Sequence, residues 1–144
     1  DLVDISADAL ELARQNSALH GVSEQTRLIQ SDLFDSVNER YDLIVSNPPY
    51  VDARDLAEMP AEYHHEPAIG LAAGEDGLLF ARNILSQAAQ YLTEHGVLIM
   101  EVGNSEPALS QAFPQLPFTW VEFERGGHGV CVLTRQELEA AFIS

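Results

Sequence analysis

The sequence contains no lysine; all seven of its basic residues are arginines. This absence excludes a phosphate-loop lysine, a pyridoxal Schiff base and a lysine general base. A single cysteine, Cys131, excludes an internal disulfide and a multi-cysteine zinc site, and fits a reducing, cytoplasmic compartment. Positive charge is scarce against twenty-three acidic residues, and the formal charge is -16. Such a field repels a phosphate backbone, so direct nucleic-acid binding by this segment is not expected. It would attract a basic protein, and it is also what keeps many domains in solution. Long apolar runs are missing as well. Val97 to Met100 with its flanks falls far short of the roughly 20 residues that a membrane span needs. No basic-then-apolar signal opens the chain, so no membrane association is expected.

What is present fits one domain with a packed core: 144 residues, 46% apolar and 21% charged. Asp1-Leu2-Val3-Asp4-Ile5 reads as a strand end feeding a helix over Ala7 to Leu19, with Ser6 as N-cap and His20-Gly21 as the stop. Thr26 to Gln30 reads as a short strand leading to Ser31-Asp32-Leu33-Phe34. Tyr41 to Val45 reads as a buried strand, ended by Pro48 and Pro49. Val51 to about Gly74 is polar, acidic and proline-punctuated, long enough to suggest a substrate loop. Asp76 starts a helix in which Leu78, Leu79, Ala81, Ile84, Leu85, Ala88, Ala89 and Leu92 recur at helical spacing, and Gly96 breaks it. Val97 to Val102 is the most apolar strand. A weaker helix over Ala108 to Ala112 follows. Phe118 to Glu124 and Val130 to Thr134 then form an antiparallel hairpin around a glycine loop. The alternation predicts a doubly wound α/β architecture, mostly parallel, with helices on both faces and a late hairpin.

In such sheets ligands bind outside the carboxyl ends of the strands, and three strand ends deliver Asp4, Asp32 and Asn47 to that edge. An acid ending an early strand can accept both hydroxyls of a ribose, which is one reading of Asp4; a local turn that satisfies backbone amides is the other. Asp32 has the same two readings. Beside the apolar Leu33 and Phe34 it suits a purine amino group and face, yet Ser-Asp pairs also start helices. Asn47-Pro48-Pro49-Tyr50 is more specific. The Asn47 side-chain oxygen can accept one N–H of a planar NH2 group, and the Pro48 carbonyl can accept the other. Tyr50 can lie on the flat face while the stiff diproline holds these groups still, so that the nitrogen lone pair faces an incoming methyl carbon. No strong base is required, because the proton becomes acidic once the nitrogen has bonded to carbon. The plain alternative is a diproline turn with an aromatic ring packed on proline.

This tetrapeptide resembles the signature of amino-group methyltransferases that use S-adenosylmethionine. With His65-Glu66-Pro67, Leu71, Gly74, Asp76-Gly77-Leu78 and Glu101-Val102-Gly103, nearly the whole chain resembles the protein N(5)-glutamine methyltransferases, the HemK/Prm family. Glu101-Val102-Gly103-Asn104-Ser105 and Gly126-Gly127-His128-Gly129-Val130 are similar to the branch that methylates a glutamine of large-subunit ribosomal protein three. The resemblance implies a Rossmann-like class I methyltransferase fold with S-adenosylmethionine as cofactor and a basic ribosomal protein as partner. It implies that Asp4, Asp32, Leu33 and Asn47 contact the cofactor and that Asn47, Pro48, Pro49 and Tyr50 form the catalytic corner. The family's glycine-rich cofactor loop, the strand before it and an N-terminal recognition domain have no counterpart in the sequence. The chain is therefore expected to be a C-terminal piece of one catalytic domain. By resemblance, the missing strand lies between those that end at Asp4 and Asn47.

Three other functions stay open: glutamine methylation of release factors, adenine methylation, and a partner-binding module without turnover. His64-His65-Glu66 offers no convergent third ligand set, so no metal is assigned. Cys131 reads as core or sheet surface. Glu101 reads either as lining the crevice or as a structural hydrogen-bonding group, and His128 as a hairpin-loop residue.

Overall fold

A computed structural model describes residues 1–50 and 77–142. The chain divides into two compact units, Asp1–Glu39 and Arg40–Ser144. The expected loop over Val51 to Gly74, with His64, His65, Glu66, Pro67, Leu71 and the helix start at Asp76, lies outside the described residues.

In the first unit β1 (Leu2–Asp4) leads into α1 (Ala7–Leu19), as the sequence predicts. The Ser6 hydroxyl accepts the Ala9 N–H at 3.2 Å and satisfies one of the amides left unpaired at a helix start. The helix closes through His20, whose N–H donates to the Asn16 carbonyl at 3.0 Å, and the chain reverses at Gly21 with φ +68°. β2 (Leu28–Gln30) pairs parallel to β1, with Leu2 opposite Leu28 and Asp4 opposite Gln30. Arg27 closes the amino-terminal side of this pair by a two-pronged contact with Asp1, at 3.0 and 2.6 Å. Phe34 and Val37 are buried, whereas Leu2, Val3 and Ile5 are at least 40% exposed.

The second unit holds a four-stranded sheet in the order β3 (Tyr41–Ser46), β4 (Leu92–Glu101), β6 (Val130–Thr134), β5 (Thr119–Trp120). β3 and β4 are parallel; β4–β6 and β5–β6 are antiparallel. The expected mostly parallel arrangement is corrected accordingly: among the described residues the pairings divide evenly between parallel and antiparallel, because β6 of the late hairpin takes part in both antiparallel ones. Alternation along the strands places Leu98, Met100, Cys131 and Leu133 on one face, all at 0% exposure. The apolar core of this unit also includes Ala81, Ile84 and Leu85 of α2 (Leu79–Gln87) and Leu109 of α3 (Glu106–Ala112). Leu138 of α4 (Arg135–Phe142) belongs to the same core, and α4 packs on β4. Each leucine buried in this way contributes about 1.5–3 kcal/mol.

Three further expectations are revised, and one helix was not expected. Tyr41 to Val45 is not a buried strand: Leu43 and Val45 are 53% and 69% exposed, since among the described residues β3 pairs with β4 alone and those two side chains lie on the face opposite Ile44. Gly96 does not end a helix. α2 stops at Gln87, a single-turn helix spans Ala88–Tyr91, and Gly96 lies within β4, where a Cβ would come within 2.8 Å of the Tyr41 carbonyl oxygen. The strand over Phe118 to Glu124 shrinks to Thr119–Trp120, prolonged by one bond from the Val121 N–H to the Val130 carbonyl at 2.8 Å. Glu122, Phe123 and Glu124 lie in the exposed loop beyond it. Finally, α4 was not anticipated. It begins with a capping box in which the Thr134 N–H donates to Glu137 Oε2 at 2.8 Å and the Glu137 N–H donates to Thr134 Oγ1 at 3.2 Å. Among the described residues no helix is long and apolar enough to cross a membrane.

Candidate functional site

The first unit brings two of the selected acids to one edge. β1 and β2 run parallel, so Asp4 and the turn that carries Asp32 leave the sheet at the same carboxyl end, joined by the Ser31 N–H donating to the Asp4 carbonyl at 3.0 Å. Asp4 Oδ1 accepts the Ser6 N–H at 2.8 Å, which is the local turn contact that the sequence allows. That bond fixes the plane of an exposed carboxylate whose Oδ2 accepts no hydrogen bond among the described residues. One oxygen is thereby tethered and the other is left without a hydrogen bond among the described residues, so that it could accept a ligand hydroxyl. Asp32 is exposed, and its carbonyl accepts the Asp35 N–H at 3.1 Å. Leu33 has φ +49°, the left-handed conformation that costs a non-glycine residue about 1–2 kcal/mol. The turn is braced by the Ser31 hydroxyl, which accepts the Ser36 N–H at 2.8 Å. Strain held in this way at an exposed polar turn is a feature of ligand-contacting segments.

The second unit carries the Asn47–Tyr50 corner. Parallel register sets Ser46 opposite Met100, so Asn47 and Glu101 leave neighbouring strands at their carboxyl ends. Asn47 is exposed and Pro48 is buried, while Pro49 and Tyr50 are partly buried. The Tyr50 carbonyl accepts the Ser105 hydroxyl at 3.0 Å. The Tyr50 ring rests against Gly103, where a Cβ would come within 2.8 Å of the ring carbon. Neither Ser105 nor Gly103 was singled out individually for this role; the only signal was their place in the run Glu101 to Ser105, just after the apolar strand. The selected residues thus fall in two groups, with Asp4, Asp32 and Leu33 in the first unit and Asn47, Pro48, Pro49 and Tyr50 in the second.

Cys131 lies within the same sheet, on β6 opposite Met100, buried, with its thiol donating to the Met100 carbonyl at 3.4 Å. Burial pushes the thiol up to about 11 from the usual 9.0. Because the folded value lies above the unfolded one, stability is fully retained below about pH 9 and falls as pH rises toward 11. The expected result is that Cys131 resists a thiol reagent at pH 8 in the native protein and reacts fully in denaturant; stoichiometric labelling of the native protein would refute this. Among the described residues no three metal-binding side chains cluster. An open hollow of about 450 Å³ beside α4, lined in part by Gln115, Pro117, Thr134 and Glu137, contains none of the selected residues.

Comparison with known proteins adds sequence and fold likeness to this geometry. Residues 1–63 match the methyltransferase small domain model. The chain is 55% identical over 138 residues to the ribosomal protein uL3 glutamine methyltransferase of Francisella tularensis, which covers 95% of this chain and 44% of that protein. It is 49% identical over 138 residues to the protein of the same name from Neisseria meningitidis, covering 96% and 46%. The chain therefore spans less than half the length of these relatives. Two solved structures share the fold. A ribosomal protein L11 methylase from Lactobacillus delbrueckii matches with a TM-score of 0.55 at 22% identity, covering 92% of this chain and 54% of that one. A methyltransferase from Pyrococcus furiosus matches with a TM-score of 0.61 at 15% identity, covering 92% and 60%. At those identities the likeness establishes the α/β fold and nothing finer.

Proposed function

From the premise that the chain belongs to the glutamine methyltransferase family of these relatives, we propose that it forms part of an enzyme that methylates a glutamine side-chain nitrogen of ribosomal protein uL3. The observation that carries this reading is the Asn47-Pro48-Pro49-Tyr50 corner at the carboxyl end of β3, with Asn47 exposed and Tyr50 held by Ser105 and Gly103. S-adenosylmethionine, when bound, supplies an electrophilic methyl carbon on a sulfonium.

Asp4 grips the ribose hydroxyls through its untethered oxygen, while Asp32 and Leu33 line the adenine. We assign Asn47 to both the cofactor and the substrate sets. Its side-chain oxygen and the Pro48 carbonyl each accept one N–H of the substrate amide, and Tyr50 covers the flat face. These fixed acceptors turn the nitrogen lone pair toward the methyl carbon. The substrate nitrogen would provide the electron pair for the N–C bond to the methyl group, while the S–C pair would stay on the sulfur of the bound donor. The amide nitrogen then loses one proton to water, so no side chain acts as a strong base. Catalysis rests on orientation. A chain of net charge -16 suits a basic ribosomal protein as substrate, and we place the reaction in the cytoplasm.

The test is methyl transfer by the full-length protein from labelled donor to uL3, release factor and DNA supplied separately. Label is expected on a glutamine of uL3. Label on release factor alone would transfer the reading to the other branch, label in DNA to an adenine enzyme, and no label on any of them to a binding module.

A further inference from the structure

The loop that joins the two hairpin strands is anchored, and its anchor ends at Tyr50. Gly129 has φ +70° and packs directly against the backbone of Gly103, where a Cβ would come within 2.6 Å of the Gly103 nitrogen. The Gly129 carbonyl accepts the Val102 N–H at 2.7 Å. Gly103, with φ +51°, carries the Tyr50 ring inside the space of a Cβ. Gly129 thus touches Gly103 and Gly103 touches Tyr50, and a side chain at either glycine would occupy space already filled. A side-chain contact also spans the same two segments: His128 Nε2 lies 2.6 Å from Asn104 Oδ1, with both residues exposed. Ser105, adjacent to Asn104, donates to the Tyr50 carbonyl.

We propose that Asn104 and His128, acting through the stacked Gly103 and Gly129 backbones, are positioning residues that set the Tyr50 ring against the substrate amide. The substrate part of this inference rests on the methyltransferase reading above; the coupling to Tyr50 does not. His128, read from sequence as a hairpin-loop residue, is in this view the outer latch of the catalytic corner. Glycine is required at 103 and 129 because the loop, the turn and the ring must stack at backbone distance. The Asn104–His128 bond then restrains the sliding of one glycine over the other.

The experiment uses the full-length protein with fluorotyrosine incorporated and the Tyr50 resonance identified by its loss in Tyr50→Phe. His128→Ala and Asn104→Ala are each expected to shift that resonance. Each should lower kcat by roughly fivefold, as expected for one exposed hydrogen bond, and leave donor affinity unchanged. The double variant should be no worse than the weaker single, the signature of one shared interaction. Gly129→Ala should shift the resonance further. If that variant fails to fold, the two exposed substitutions still decide the matter. An unmoved Tyr50 resonance in both, or fully additive losses, overturns the proposal. If the wild-type protein methylates nothing, the functional reading fails while the resonance still reports whether the latch reaches Tyr50.

Discussion

Asn47→Ala in the full-length protein is expected to reduce kcat for methyl transfer by about 10²–10³-fold, the cost of deleting one fixed polar group aimed at the reacting atoms. Asn47 is exposed, and among the described residues its side chain makes no hydrogen bond, so its removal leaves no buried partner unsatisfied and the fold intact. The loss should fall on kcat more than on the KM for protein substrate if, as proposed, the asparagine oxygen orients the lone pair at the moment of transfer. Asp4→Ala should behave in the opposite sense. On the proposed reading it removes the acceptor for the ribose hydroxyls and should weaken donor affinity by about 10-fold or more, as for a charged hydrogen bond, with a smaller effect on kcat at saturating donor. Single-turnover rates with labelled donor, together with calorimetric donor titration of each variant, separate the two. An Asn47→Ala enzyme within a few fold of wild type in the single-turnover step would remove the corner from the mechanism.

The contrast between these positions reflects how the site could be read in advance. Asn47-Pro48-Pro49-Tyr50 is contiguous, and two successive prolines after an apolar strand leave few conformations, so its place just beyond the end of β3 was legible without coordinates. Asp4 was ambiguous in sequence, and the structure shows one of its two readings: Oδ1 satisfies the Ser6 amide in a local turn. The ribose reading belongs to the proposal. The support behind Tyr50 was not legible, because Gly103, Ser105 and Gly129 reach it through contacts made by three separate segments. Sequence marks glycines as permissive, without saying what they approach.

A similar division holds for the fold. α1 was read to its observed ends because its signals are local: a serine cap, a helical stretch and a glycine stop. The burial of β3 was misread because a continuous apolar run indicates a strand covered on both faces, and only the neighbouring elements decide whether that cover exists. Leu43 and Val45 thus stand exposed although nothing in the run itself sets them apart from Ile44. β5 was overextended because aromatic and β-branched residues at Phe118 to Phe123 favour a strand, whereas ladder bonds persist only to Val121. The most instructive omission is α4, for which Thr134 and Glu137 form a capping box at the proper spacing. The strand pattern through Val130 to Thr134 masked it, since Thr134 both ends β6 and caps the helix.

That omitted helix carries the second large effect. Leu138 has 0% exposure and belongs to the same apolar core as Leu85, Leu98 and Leu133, so Leu138→Ala should destabilise the unit by about 2–5 kcal/mol through lost transfer energy and an unfilled cavity. The helix is also fastened by Arg135, whose Nη1 donates to the Leu92 carbonyl at 3.1 Å and whose Nε donates to Glu139 at 2.6 Å. Glu139→Ala should cost under about 1 kcal/mol, because that ion pair is partly solvated. Leu79, 46% exposed on α2, provides the matched control: Leu79→Ala should be nearly neutral despite the same chemical change. Denaturant unfolding followed by Trp120 reads all three, since this is the only tryptophan and lies on β5, next to β6. The Leu138 midpoint should move far below the other two with an unchanged slope, which assigns the effect to the folded core rather than to denatured-state compactness. Equal midpoints for Leu138→Ala and Leu79→Ala would mean that α4 does not cover the sheet. The support of the edge that carries Asn47 and Glu101 would then have to come from β3 and β4 alone.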